Sequence, residues 1–150
     1  MQDIGLMTSD DGTLAPDSIL SRVTGLFKEA SEKSGRPAYL AHNYKEYFES
    51  AGFVDVVEQR LKWPINEWPK DPHYKELGAW TRENLDTGMD GLLLALFTRF
   101  LGWTPDEVTV FSAQVRAALK DRRVHAYMPV YVVYGRKPGD ETGAPAAETT

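Results

Sequence analysis

Ala51-Gly52-Phe53-Val54-Asp55-Val56-Val57-Glu58 turns a helix into a strand within a few residues, and its reading decides the fold. Gly52 suits the left-handed residue that ends a helix. The β-branched and aromatic run behind it has the composition of a pleated strand. A second such run, Ala126 to Tyr134, is apolar on both alternating faces, as expected of a strand buried in the middle of a sheet. The two strand regions, Phe53 to Ile65 and Val124 to Pro138, are separated by helical patterns. Pro129 has no amide for a ladder, so it is expected before the fully paired part of its strand or at a bulge.

Outward from these runs, Met1 to Leu6 is a short apolar stub, followed by the turn signal Thr8-Ser9-Asp10-Asp11-Gly12. A first helix is expected from about Pro16, which suits the first helical turn, with Ile19, Leu20, Val23, Leu26, Phe27 and Ala30 on one face before Gly35-Arg36-Pro37. A second carries Ala41, Tyr44, Phe48 and Ala51 and stops at Gly52. Trp63-Pro64-Ile65-Asn66-Glu67-Trp68-Pro69, with two prolines and no periodicity, is expected to be irregular. A long apolar stripe from His73 to Leu101 predicts a helix, with Gly88 and Gly91 inviting a break. Thr104-Pro105-Asp106-Glu107 is a capping box with proline at the first helical position, and Val108, Phe111, Val115 and Leu119 form the inner face behind it. Residues 139–150 hold no core-forming residue and read as a disordered tail, which leaves 1–138 as the folded part.

Composition narrows the function. A chain of 150 residues with 42% hydrophobic and 11% aromatic content suits one globular domain. A net charge of −5 argues against general nucleic-acid binding. The one basic cluster, Arg116, Lys120, Arg122 and Arg123, falls at a helix end, where cations offset the helix dipole. The absence of cysteine excludes disulfides, thiolate metal sites and a cysteine nucleophile. No apolar run approaches the ~20 residues of a membrane span and no secretory signal is visible, so the expectation is a cytoplasmic protein without membrane contact.

Three further groups of residues fall in order around the strands: Lys62-Trp63-Pro64-Ile65 with Trp68-Pro69-Lys70-Asp71, Leu94-Ala95-Leu96-Phe97-Thr98-Arg99 with Leu101-Gly102-Trp103, and His125-Ala126-Tyr127 leading into Tyr131-Val132-Val133-Tyr134-Gly135-Arg136-Lys137-Pro138. With Ala51-Gly52-Phe53 they resemble the C-terminal half of fungal class I S-adenosylmethionine-dependent methyltransferases, a group that includes regulators and biosynthetic enzymes of secondary metabolism. The resemblance covers nearly all of residues 1 to 138. It implies an α/β, Rossmann-like partial fold holding strands five to seven and their covering helices, with the last strand between the other two and antiparallel to both. Met1-Gln2-Asp3 then matches the latter part of strand five, and nuclear as well as cytoplasmic location is implied.

In that family strands one to four hold the cofactor, through a glycine-rich loop and an acidic residue after strand two. This chain contains no Gly-x-Gly, so no cofactor-binding residue carries over. Strand five is expected to present an open edge, for a second copy of the chain or a full-length relative.

The family places its small-molecule acceptor over the carboxyl ends of the strands. That makes Trp80, Asn84, Met89 and Phe97 of the long helix candidate substrate-binding residues, although such a stripe is more often core. Asp3, at the end of strand five, is a candidate base, with the capping of the Asp-rich turn as the competing reading. His125 and Tyr127 precede the last strand, and histidine is the natural proton carrier. No partner for His125 is evident, which favours a structural role. Asp10, Asp11 and Asp17 lack the spacing of a calcium loop, and His42, His73 and His125 that of a metal site. Three readings compete: the acceptor half of a methyltransferase that does not methylate by itself, a cofactor-free binder or cyclase-like enzyme using an aromatic pocket, and a non-catalytic partner of a full-length relative.

Overall fold

A computed structural model describes residues 1–139 as one three-stranded antiparallel sheet and four α-helices. The strands are β1 (Gln2–Ile4), β2 (Val54–Pro64) and β3 (Tyr127–Arg136), in the order β1-β3-β2. The last strand therefore lies between the other two and runs against both, as expected. Among the described residues β1 has no partner on its outer side. The expected tail over 139–150 lies, except for Gly139, outside the described residues.

The central place of β3 follows from its residues. Val130 and Val133 are fully buried and point to opposite faces, so both sides of the strand are covered. Pro129 sits inside the paired strand opposite Lys62, not ahead of it. Its carbonyl accepts from the Gly5 amide at 2.7 Å, so its missing N–H also faces the β1 side. There the ladder lapses between the Ile4–Val130 pair and the Thr8–Tyr127 bridge, and no donor is required.

Helix α1 (Ile19–Lys33) starts three residues after Pro16, because Ser18 is the cap and accepts from the Ser21 amide at 3.2 Å. The expected second helix is split into a 3-10 turn, Ala41–Asn43, and a short α2 (Tyr44–Ser50). Gly52 takes the left-handed conformation that the helix-to-strand turn requires, at φ 84°. Strand β2 ends at Pro64, within the expected Phe53 to Ile65, and so takes in Trp63 and Pro64 of the stretch expected to be irregular. The next amide, Ile65, donates to the Ala126 carbonyl at 3.2 Å, so the Pro64 nitrogen faces away from β3.

Helix α3 (Pro72–Phe100) runs unbroken through Gly88 and Gly91. Asp71 caps it, accepting from the His73 amide at 2.9 Å and from Tyr74 at 3.2 Å, with Pro72 in the first turn. Helix α4 (Pro105–Leu119) opens with the expected capping box: Glu107 N–H donates to Thr104 Oγ1 at 3.2 Å, and Thr104 N–H to Glu107 Oε2 at 2.7 Å. None of these helices is long and apolar enough to cross a membrane.

The core is built by α1, α3 and α4 on one face of the sheet. Leu20, Val23, Leu93, Phe97, Val108, Phe111, Val115 and Leu119 pack together, with Ala126, just ahead of β3, and Met128, on it, reaching in. Burying each such side chain is worth about 1.5–3 kcal/mol. Loop 65–71 is fastened to this core by Asn66, which is fully buried. Its side-chain amide donates to the carbonyls of Leu119 at 3.0 Å and Asp121 at 3.2 Å, satisfying acceptors that the end of α4 leaves free. Its oxygen accepts from the Trp68 amide at 2.9 Å.

The three arginines of the basic cluster at the end of α4 are paired with carboxylates within the fold. Arg116 pairs with Asp86 at 2.9 Å and Asp90 at 3.0 Å on α3, Arg122 with Glu67 at 3.5 Å, and Arg123 with Asp121 at 2.7 Å.

Candidate functional site

The carboxyl ends of β1 and β2 and the start of β3 meet at one end of the sheet, where three loops converge. The β1–α1 loop supplies Asp10, Asp11 and Thr13. The end of β2 and the segment after it supply Lys62, Trp63, Pro64 and Trp68, and the approach to β3 supplies His125 and Tyr127. The Thr8–Tyr127 bridge, with amide-to-carbonyl distances of 3.0 and 2.9 Å, holds the first loop against the last strand.

Two carboxylates organise the cluster. Asp10 Oδ1 accepts from the Tyr127 hydroxyl at 2.6 Å, and its Oδ2 is bound by the Lys62 ammonium. That ammonium also lies 4.7 Å from the centre of the Tyr127 ring, a cation–π contact. The hydrogen bond from Lys62, then that from Tyr127, holds the Asp10 carboxyl below its ordinary value. The same contacts raise Lys62 and Tyr127, which stay protonated.

Asp11 serves His125. Its Oδ2 lies 2.6 Å from His125 Nδ1, and its Oδ1 accepts from the Thr13 hydroxyl at 2.7 Å and the Thr13 amide at 3.1 Å. These bonds, led by the Thr13 hydroxyl, bring the Asp11 carboxyl down to about 2. Thr13 Oγ1 also accepts from the His125 amide at 2.8 Å, so one hydroxyl fixes both partners. The imidazole rests on the Trp68 ring, with centres 4.9 Å apart and planes inclined by 32°. Trp68 in turn donates from Nε1 to the Ala126 carbonyl at 2.9 Å.

Beside this cluster an open cleft of about 600 Å³ is lined by Lys62, Trp63, Trp68, His73, Tyr74 and Tyr127, among others. A second, smaller cavity of about 140 Å³ lies between α1, α3 and the sheet, with an apolar lining that includes Phe27, Met89, Leu93 and Met128. Among the described residues no group of histidine and carboxylate side chains could hold a metal ion.

These positions correct several expectations. His125 has a partner after all, a carboxylate 114 residues away in the chain. Asp3 neither ends its strand nor caps the turn: it sits in the middle of β1, where its Oδ2 accepts from the Tyr44 hydroxyl at 2.6 Å, apart from His125 and Tyr127. The four residues proposed along the long helix are not brought into one pocket. Trp80 and Asn84 lie on its exposed side, with Trp80 67% exposed. Met89 lines the small apolar cavity, and Phe97 is core, packed edge-on against Trp103. The apolar stripe is broader than one helix face, so spacing alone mixes inner and outer positions.

Asp10, Asp11, Thr13, Lys62 and Trp68 were not expected to converge. Asp-Asp-Gly-Thr reads as a turn, and it is one; the same side-chain-to-backbone bonds that make it a turn also aim Asp11 at His125.

The residues present do not form a nucleotide-type cofactor cradle. A glycine cradle would leave open space where a Cβ belongs. At Gly5, at the end of β1, that position is 2.9 Å from Pro129 Cγ, and at Gly135 it is 3.2 Å from Val56 Cγ2, so both glycines serve packing within the sheet.

Comparison with known proteins identifies relatives. The chain is 38% identical over 137 residues to methyltransferase pytC of Aspergillus terreus, a match covering 91% of this chain and 42% of the relative. It is 40% identical over 132 residues to probable methyltransferase tdiE of Emericella nidulans, covering 88% of this chain and again 42% of the relative. A secondary metabolism regulator of Cochliobolus heterostrophus is 35% identical over 130 residues, with 86% and 42% covered. No family model matches the chain, and no solved structure does. The chain spans about two fifths of the length of the curated relatives it matches. Over about nine tenths of its length it is thus homologous to part of a group of fungal proteins named methyltransferases and secondary-metabolism regulators.

Proposed function

We propose that this chain is the acceptor-facing part of a class I S-adenosylmethionine-dependent methyltransferase fold of fungal secondary metabolism, with β1, β3 and β2 corresponding to strands five, seven and six. The observation that carries the reading is the 38–40% identity to proteins named methyltransferases over about nine tenths of the chain. The sheet order β1-β3-β2, with the last strand antiparallel between the others, supports it.

The cofactor is held by residues outside this sequence. More than half of each relative lies beyond the matched stretch, and this sequence has no Gly-x-Gly. The outer edge of β1 is where the rest of the sheet joins, in the same polypeptide, a second copy or a full-length relative. The small-molecule acceptor binds at the carboxyl end of the strands, the usual place for ligands in open α/β sheets.

Calorimetric titration with S-adenosylhomocysteine tests the assignment, with circular dichroism to confirm folding. The 150-residue chain is expected to give no binding heat. The same chain joined to the unmatched part of the Aspergillus terreus relative is expected to bind. Uptake by the chain alone would overturn the placement of the cofactor site. A folded fusion that does not bind would overturn the methyltransferase reading itself.

A further inference from the structure

We propose that Asp11 and His125 form a proton-accepting dyad for an aromatic hydroxyl delivered to the carboxyl end of the sheet. That an acceptor molecule arrives there at all rests on the reading above.

The chemistry starts from the 2.6 Å contact between Asp11 Oδ2 and His125 Nδ1. An ionised carboxylate only accepts hydrogen bonds, so Nδ1 carries a proton, and the neutral form of a ring so held has its lone pair at Nε2. Among the described residues Nε2 has no hydrogen-bond partner, and the His125 side chain is 40% exposed. The ring is fixed by Asp11 at its edge, Trp68 on its face and Thr13 at its backbone amide. Asp11 is itself held by two bonds from Thr13, and the neighbouring Asp10 is already engaged by Lys62 and Tyr127. One carboxylate is thereby dedicated to the histidine. A base oriented by a second group, with its other nitrogen free, is the arrangement that general-base chemistry needs.

The ligand class follows from the surroundings. Trp68 carries the imidazole and also lines the adjoining cleft, which Trp63, Tyr74 and Tyr127 share. Flat aromatic walls take up a flat ring by stacking. A hydroxyl on such a ring is far more acidic than an aliphatic one, and an electron-withdrawing substituent on the ring brings its proton within reach of an imidazole. In the step the O–H bond breaks, its electron pair stays on oxygen, and the proton forms the Nε2–H bond. The resulting imidazolium sits against the Asp11 carboxylate, which stabilises it.

The probe is 4-nitrophenol, whose phenolate absorbs apart from its neutral form. At a pH where the free compound is mostly protonated, the folded chain is expected to raise the phenolate band. His125→Gln, checked by circular dichroism, is expected to weaken this uptake about 10- to 100-fold, the worth of one hydrogen bond to a charged group. Asp11 is a positioning residue, and its readout is the tautomer. Long-range proton–nitrogen spectra should show His125 with its proton on Nδ1 in the native chain, and a shift toward Nε2–H in Asp11→Ala. Absence of the phenolate band with the folded native chain overturns the proposal. So does an undiminished band in folded His125→Gln, which would assign capture to Lys62 or His73, and so does an Nε2–H tautomer in the native chain. If a variant does not fold, the native spectra still decide. None of these readings involves S-adenosylmethionine, so failure here is separate from failure of the methyltransferase assignment.

Discussion

Three glycines lie on α3, and the structure sorts them. A Cβ built on Gly78 would stand 2.0 Å from the Asn66 carbonyl oxygen and 2.7 Å from its carbon. Both atoms are backbone, and Asn66 cannot step aside, because three side-chain hydrogen bonds tie it to Leu119, Asp121 and Trp68. Gly78→Ala must push α3 off the loop or break that clasp. Overpacking of this kind costs about 1–3 kcal/mol, and each buried hydrogen bond left unmade a further 1–3. Against this, alanine gains up to about 1 kcal/mol of helix propensity. The net expectation is a loss of roughly 2–4 kcal/mol, or about 4–16 °C in Tm for a chain of this size. Gly88 and Gly91 provide the opposite sign: nothing lies within 4 Å of a Cβ at Gly91, and only Leu92 Cδ1, at 3.8 Å, near Gly88. Alanine at either should stabilise by up to about 1 kcal/mol. Urea unfolding followed by tryptophan fluorescence measures all three. A Gly78→Ala variant as stable as the parent would refute the close approach of α3 to the Asn66 loop.

Other outcomes follow from single contacts. Ser112 is fully buried with no partner for its hydroxyl among the described residues, so Ser112→Ala should be neutral or stabilising in the same assay. Thr104→Ala removes the α4 cap and should cost about 1 kcal/mol. The Asp11 carboxyl, lowered to about 2, favours the folded state above the ordinary carboxylate value of about 3.9, and that contribution is lost as pH falls through its folded value. A carbon-detected titration of Asp11 should show its low midpoint. Thr13→Ala should raise that midpoint more than His125→Gln does, because the Thr13 hydroxyl is the larger cause.

Much of the fold is legible locally. The capping box at Thr104, the left-handed stop at Gly52 and the doubly apolar run around Val130 and Val133 each name their element from a few adjacent residues. The departures arise where a distant partner overrides local preference. Pro129 is tolerated inside a central strand because the opposing ladder lapses on the side its missing amide faces. Gly88 and Gly91 do not break α3, because the residues around them, Met89 and Leu93, are anchored in the core.

The candidate site was the least legible part, and its geometry explains why. Asp11 and His125 are 114 residues apart, and Asp10 and Tyr127 are 117 apart. No short-range pattern encodes either pair. They meet only if β1, a strand of three residues, docks on β3 and the Thr8–Tyr127 bridge closes beyond it. Loop closure over such a span is entropically costly, and so short an edge strand offers few bonds in return. The dyad therefore belongs to the less stable end of the structure, while the buried faces of α3 and α4 hold the stable end. Hydrogen exchange should show the Thr8 and Tyr127 amides opening well before those of Leu93 and Val115. Equal protection at all four would mean that β1 and its loop fold as one unit with the helical core, and the site could not then be detached without unfolding the whole.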